Sequence, residues 1–163
     1  MRLLQHLNPF HIYNILLIFI FSVTVNGYNF FSNINLIFYC IFHFLIIYIS
    51  IYYYRKLLYV VYSLYGLGLD LFWLHEIGPH ILTFISVLFF FNLLSKYLYN
   101  LNSYKIYILL LIIQIIMVTF EMIISEILFS FGFDINYYFQ IIILSLFISY
   151  PVFFLFSKID RFK

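Results

Sequence analysis

The chain has no alanine, one cysteine, one tryptophan and three prolines among its 163 residues, and only 9% of it is charged. An ordinary soluble domain carries about 25% charged residues. A chain that is 66% hydrophobic cannot cover itself with polar surface, so a water-soluble globule is excluded. No polar stretch is long enough to fold as a separate unit, which excludes catalysis in an attached soluble domain. The lone Cys40 falls inside an apolar run, so neither an internal disulfide nor a cysteine-based metal site can form. The net charge is only +2, with no basic patch among exposed aromatics, so nucleic acid is not expected as a partner. The missing alanine, beside abundant Ile, Leu, Phe, Tyr and Asn, looks like the coding bias of an AT-rich genome. The aromatic excess is therefore weak ground for a functional argument.

What the chain does have is apolar length. Hydrophobic stretches near the ~20 residues that cross a bilayer can be drawn six times, over residues 9–26, 34–54, 57–74, 79–95, 106–130 and 137–157. The expectation is an all-α integral membrane protein, a single polytopic domain over 1–163 with six transmembrane helices and membrane lipid as its surroundings. Asn8-Pro9 opens the first span as an N-cap followed by proline at the first helical position, where the missing N–H costs nothing. A cleaved signal peptide is not expected, because Arg2 alone forms the basic region and no A-x-A-like site follows. Polar turns join the spans at Gly27 to Asn35, His75 to Gly78, Lys96 to Lys105 and Phe131 to Asp134. Only Tyr54, Arg55 and Lys56 separate spans two and three, which predicts a tight antiparallel pair. Pro151 predicts a bend in the sixth helix.

Six spans put both termini on one side. With the N-terminus in the cytoplasm, Arg2, Arg55, Lys56, Lys96, Lys105, Lys158, Arg161 and Lys163 all fall on cytoplasmic termini or loops, as the positive-inside rule requires. The opposite orientation places none of them there. Tyr52, Tyr53, Tyr54, Tyr59, Tyr97, Tyr99, Tyr104 and Tyr107 sit beside these basic loops, as an aromatic belt does. No internal repeat supports an inverted-repeat transporter.

Acids inside apolar spans are expensive, about 2.5 to 3.5 kcal/mol at a helix centre on insertion scales, so they face protein or water. Asp70 lies 13 residues beyond Leu57, about 20 Å at 1.5 Å per residue, and Glu121 lies about 22 Å beyond Ile106 on the same arithmetic. The two carboxyls are thus expected at nearly one level. No Arg or Lys of the outer half can pair with them, which leaves histidines, hydroxyls, backbone groups, a proton, or a polar or basic group of a partner protein. Gly66 shares the Asp70 face, four residues earlier, and lets a neighbouring helix approach closely. Gln114, Glu121 and Ser125 form a polar stripe that must face protein. His75-Glu76 with His80 suggests a metal, but HExxH needs ligands at i and i+4 of one helix, and here the spacing is i+5 across Gly78-Pro79. No metal, cofactor or catalytic set is expected, and no enzyme activity.

Gly66-x-Gly68-x-Asp70-Leu71, then Gly78 eight residues after the aspartate, then Leu82 in an apolar helix, resembles the rod shape-determining MreD family, which carries G-x-x-x-D-L and G-x-x-x-L at this spacing. The Tyr150-Pro151 pair, the following apolar run and the basic tail from Lys158 are similar too, as are size and hydropathy. GYNFFSNIN stands where the family has a proline-rich outer loop. The resemblance implies a non-enzymatic scaffold of the lateral cell-wall elongation complex in the bacterial inner membrane, maintaining cell shape. It would act with MreC and, directly or indirectly, with MreB, RodA and the elongation transpeptidase. It also implies a fold similar to the S components of energy-coupling-factor transporters, so the alternative is a vitamin-binding transporter subunit. A vitamin binder needs convergent polar groups over a cavity and preferably tryptophan stacking, and only Trp73 is available. On the scaffold reading, Gly66, Asp70, Gly78, Pro79 and Glu121 serve helix packing or partner contact.

Overall fold

The computed structural model describes residues 9–26, 32–74, 77–98, 103–129 and 135–161. They form six helices: α1 (Pro9–Asn26), α2 (Ser32–Tyr52), α3 (Leu57–Leu69), α4 (Pro79–Leu98), α5 (Ser103–Phe129) and α6 (Ile135–Arg161). α3 continues into one π-helical turn, Asp70–Leu74. No strand occurs among the described residues. Each expected apolar stretch coincides with one helix, because an uninterrupted apolar run in lipid must satisfy its backbone internally. Of the predicted turns, Gly27 to Phe31, His75-Glu76, 99–102 and Phe131 to Asp134 lie outside the described residues, as do Arg2, Asn8 and Lys163, whereas residues 32–35, 96–98 and 103–105, expected in turns, are helical.

The distribution of side chains is that of a protein in an apolar solvent. Ile15, Leu64, Phe89, Ile127 and Phe147 are mostly exposed, whereas His43, Asp70, Gln114, Glu121 and Ser149 are buried. In water that arrangement would be unstable. Three segments, Ile34–Tyr52, Tyr104–Phe129 and Ile135–Asp160, are long and apolar enough to cross a bilayer. The chain is an all-helical membrane protein.

α2 is the central helix. It packs against α1, α4, α5 and α6, and every residue from Phe42 to Ser50 is buried. An all-round apolar sequence is what such a position needs. The expected tight pairing of α2 with α3 is not observed. The close neighbour of α3 is α4, because Gly66 admits the α4 backbone whereas Tyr62 is wedged toward α2. Its hydroxyl reaches the Ile46 carbonyl at 2.8 Å, bridging α3 to α2 through a side chain. α6 stays helical past Pro151 to Arg161.

Where α1 begins and α2 and α6 end, the Asp160 carboxylate accepts hydrogen bonds from Tyr13 at 2.9 Å, from Tyr53 at 2.5 Å and from Tyr48. Beside them the Arg55 guanidinium lies 4.6 Å over the Phe10 ring, a cation–π contact.

Candidate functional site

The opposite end of the bundle is built on Gly66. A Cβ there would stand 2.7 Å from both Cα and N of Ile81 and 3.0 Å from the His80 carbonyl carbon. Only a hydrogen lets α3 lie this close to the start of α4. One turn later Asp70, fully buried, turns its carboxylate onto the N-terminus of α4. Oδ2 accepts from the Gly78 N–H at 2.9 Å and the Ile81 N–H at 3.3 Å. Oδ1 accepts from the His80 N–H at 2.9 Å and lies 2.6 Å from His80 Nδ1.

The first N–H groups of a helix have no partner in their own helix. They are usually capped by the residue just before it. Here an acid from the preceding helix does so, with the favourable placement of negative charge at a helix N-terminus. Pro79 has no N–H to satisfy, so Asp70 serves every backbone N–H from Gly78 to Ile81. Leu82 then begins the ordinary ladder with its bond to the Gly78 carbonyl at 3.0 Å. Gly66, Asp70, Gly78 and Pro79, singled out in the sequence, are brought together as one joint between α3 and α4. At Gly78 a Cβ would come within 2.9 Å of Leu128 Cδ1 on α5.

Glu121 lies next to this joint. Its Oε2 accepts from the Tyr39 hydroxyl at 2.5 Å, and His43 Nε2 sits 2.9 and 3.0 Å from its two oxygens. His43 Nδ1 is 2.9 Å from the Tyr39 carbonyl. The His43 and His80 ring centres are 6.4 Å apart, and the Phe84 ring lies 5.5 Å from His43. Two acids and two histidines from α2, the π turn, α4 and α5 thus share one buried cluster, at the common level that helical rise predicted for the acids. His43 was missed by sequence reasoning, although it is an ionisable residue in a transmembrane stretch and hence a candidate by rule. Ser125, also on α5, is half-buried, while Gln114 joins three helices through Nε2, at 3.1 Å from both the Cys40 carbonyl and Ser145 Oγ.

The oxygens of both acids are engaged by the chain's own groups. No group of three metal-ligating side chains occurs among the described residues, and His75-Glu76 lies outside them. Between α4 and α5 a cleft of about 230 Å³ is lined by Thr83, Ser86, Val87, Phe90, Ile113, Ile116, Met117 and Phe120. Its two hydroxyls are turned back onto their own helix, Thr83 to the Pro79 carbonyl and Ser86 to the Leu82 carbonyl, each at 2.7 Å. The cleft therefore offers a ligand apolar contact and little else. No family model, curated protein or solved structure matches the chain.

Proposed function

We propose that this protein is a non-enzymatic scaffold of the bacterial inner membrane that serves lateral cell-wall elongation, in the manner of the MreD family. The observation that carries the reading is the joint itself. Gly66, Asp70 and Gly78, which are among the residues that carry the resemblance, are engaged with Pro79 in fixing α4 against α3, and the Asp70 oxygens are taken up by the α4 backbone rather than held open for a substrate. A rigid helical pair with satisfied interior polar groups and an apolar outer face suits a protein that recognises other membrane helices by packing. The transporter-subunit alternative needs convergent polar groups over an enclosed cavity. The apolar, laterally open α4–α5 cleft does not supply them.

In this reading the chain crosses the membrane six times. α1 with 18 residues, α4 with 20, and α3 plus its π turn are shorter than α5 and α6, yet at 1.5 Å per residue they approach the ~30 Å hydrocarbon core. The contacts support alternating passes. The start of α1 meets the ends of α2 and α6 at Asp160, and the start of α4 meets the end of α3 and the outer part of α5 at Asp70 and Glu121. With that topology the positive-inside rule favours both termini in the cytoplasm. MreC is the expected direct partner, with MreB, RodA and the elongation transpeptidase further out. Affinity purification from native membranes tests this: wall-synthesis proteins should co-purify. An ATPase module, or a tightly held vitamin, would assign the chain to the transporter class instead.

A further inference from the structure

The Asp70, His80, His43 and Glu121 cluster is buried, each group no more than 5% exposed, and its hydrogen bonds restrict where protons can sit. Three backbone N–H groups point at Asp70, two at Oδ2 and one at Oδ1, so both its oxygens act as acceptors and it is a carboxylate. His80 Nδ1, 2.6 Å from that carboxylate, therefore carries a hydrogen. On the other side His43 Nδ1 faces the Tyr39 carbonyl, which can only accept, so this nitrogen carries its hydrogen too. His43 Nε2 then meets the Glu121 carboxyl through one further proton, held on either the ring or the acid. With that proton the His43–Glu121 pair carries no net charge.

Asp70 still contributes one negative charge. Among the described residues Tyr39 meets the cluster from α2, with Cys40 of α2 and Tyr137 of α6 near its hydroxyl, and none of these brings positive charge. The N-terminus of α4 offsets part of that charge, and a buried charge without a full opposite is still costlier than a buried pair. The group in position to balance Asp70 is the second nitrogen of His80.

We propose that this cluster is a proton-binding site that takes up two protons, one on the His43–Glu121 pair and one on His80. So loaded, it forms an uncharged clamp on α2, α3, α4 and α5 that loosens when the protons leave. The inference stands on the cluster's geometry and does not depend on the wall-synthesis reading.

The test uses the full chain in detergent micelles with ring-labelled ¹⁵N histidine, observed by NMR, and the infrared carboxylic-acid band. At neutral pH the expected result is two doubly protonated buried rings, or one such ring together with a carboxylic-acid band that Glu121→Gln abolishes. If Glu121→Gln does not fold, the wild-type ring count and band decide alone. Two neutral rings, or one charged ring without an acid band, would overturn the proposal. Raising the pH until these signals vanish should lower the unfolding temperature over the same interval. A flat unfolding temperature across that interval would overturn the clamp.

Discussion

Asp70→Asn and Glu121→Gln are chemically the same change, yet the structure assigns them different costs. Asn keeps one acceptor oxygen and acquires an amide with two hydrogens to place. With its oxygen in the Oδ1 position it still accepts from the His80 N–H and Nδ1, but its NH₂ then opposes the N–H groups of Gly78 and Ile81, 2.9 and 3.3 Å away. Flipping the amide moves the conflict to His80, at 2.9 and 2.6 Å. No orientation satisfies all four donors. At about 1–3 kcal/mol for each buried group left unpaired, the cost is about 3–5 kcal/mol, the range for a broken buried ion pair.

Gln at 121 meets a neighbour that can adapt. Its oxygen accepts from Tyr39, and its NH₂ donates to His43 Nε2 once that ring is singly protonated on Nδ1, facing the Tyr39 carbonyl. The loss is the charge on one hydrogen bond, about 1–2 kcal/mol. At about 2–4 °C per kcal/mol for a chain of this size, Asp70→Asn should lower the unfolding temperature by on the order of 10 °C and Glu121→Gln by a few degrees. Heating micelle-solubilised protein and scoring the monodisperse fraction by size exclusion measures both. A larger loss for Glu121→Gln, or an Asp70→Asn protein as stable as wild type, would refute the reasoning.

Gly66→Ala should cost about 2–3 kcal/mol, because the new methyl meets the α4 backbone and not a movable side chain. Gly68→Ala, which meets only the Phe21 ring, should stay within about 1 kcal/mol of wild type, since that ring can turn and alanine favours the helix. The same unfolding assay separates the two. Asp160→Asn leaves three phenols competing for one amide and should cost about 1–3 kcal/mol, more than Tyr48→Phe, which removes a single donor. A reporter fused after Lys163 should be active only as a cytoplasmic fusion. Activity confined to the periplasm would contradict six passes.

Much of the helical layout was legible because apolar runs in a membrane chain have few alternatives to helix. The common depth of Asp70 and Glu121 was legible too, since rise per residue is fixed. What each acid faces was not. It depends on how closely two backbones approach, and the capping of α4 by Asp70 exists only because Gly66 lets the helices close. The short Tyr54-Arg55-Lys56 joint suggested that α2 and α3 pack tightly, but joint length sets proximity of ends and not of faces. Tyr62 holds those faces apart. The convergence of Tyr13, Tyr48 and Tyr53 on Asp160 escaped notice because tyrosines abound, and Tyr53 lies where an interfacial belt would place it anyway. Which hydroxyls converge depends on the rotation of α1, α2 and α6 about their axes, which composition does not encode.

The central claim is that one carboxylate from α3 caps the start of α4, and amide hydrogen exchange tests it most directly. First-turn amides ordinarily exchange fast because they lack partners. Here the Gly78, His80 and Ile81 amides should be strongly protected, and Asp70→Ala, which removes every acceptor, should release all three together while leaving the middle of α4 unchanged. Rapid exchange of these amides in the wild-type chain would contradict the account.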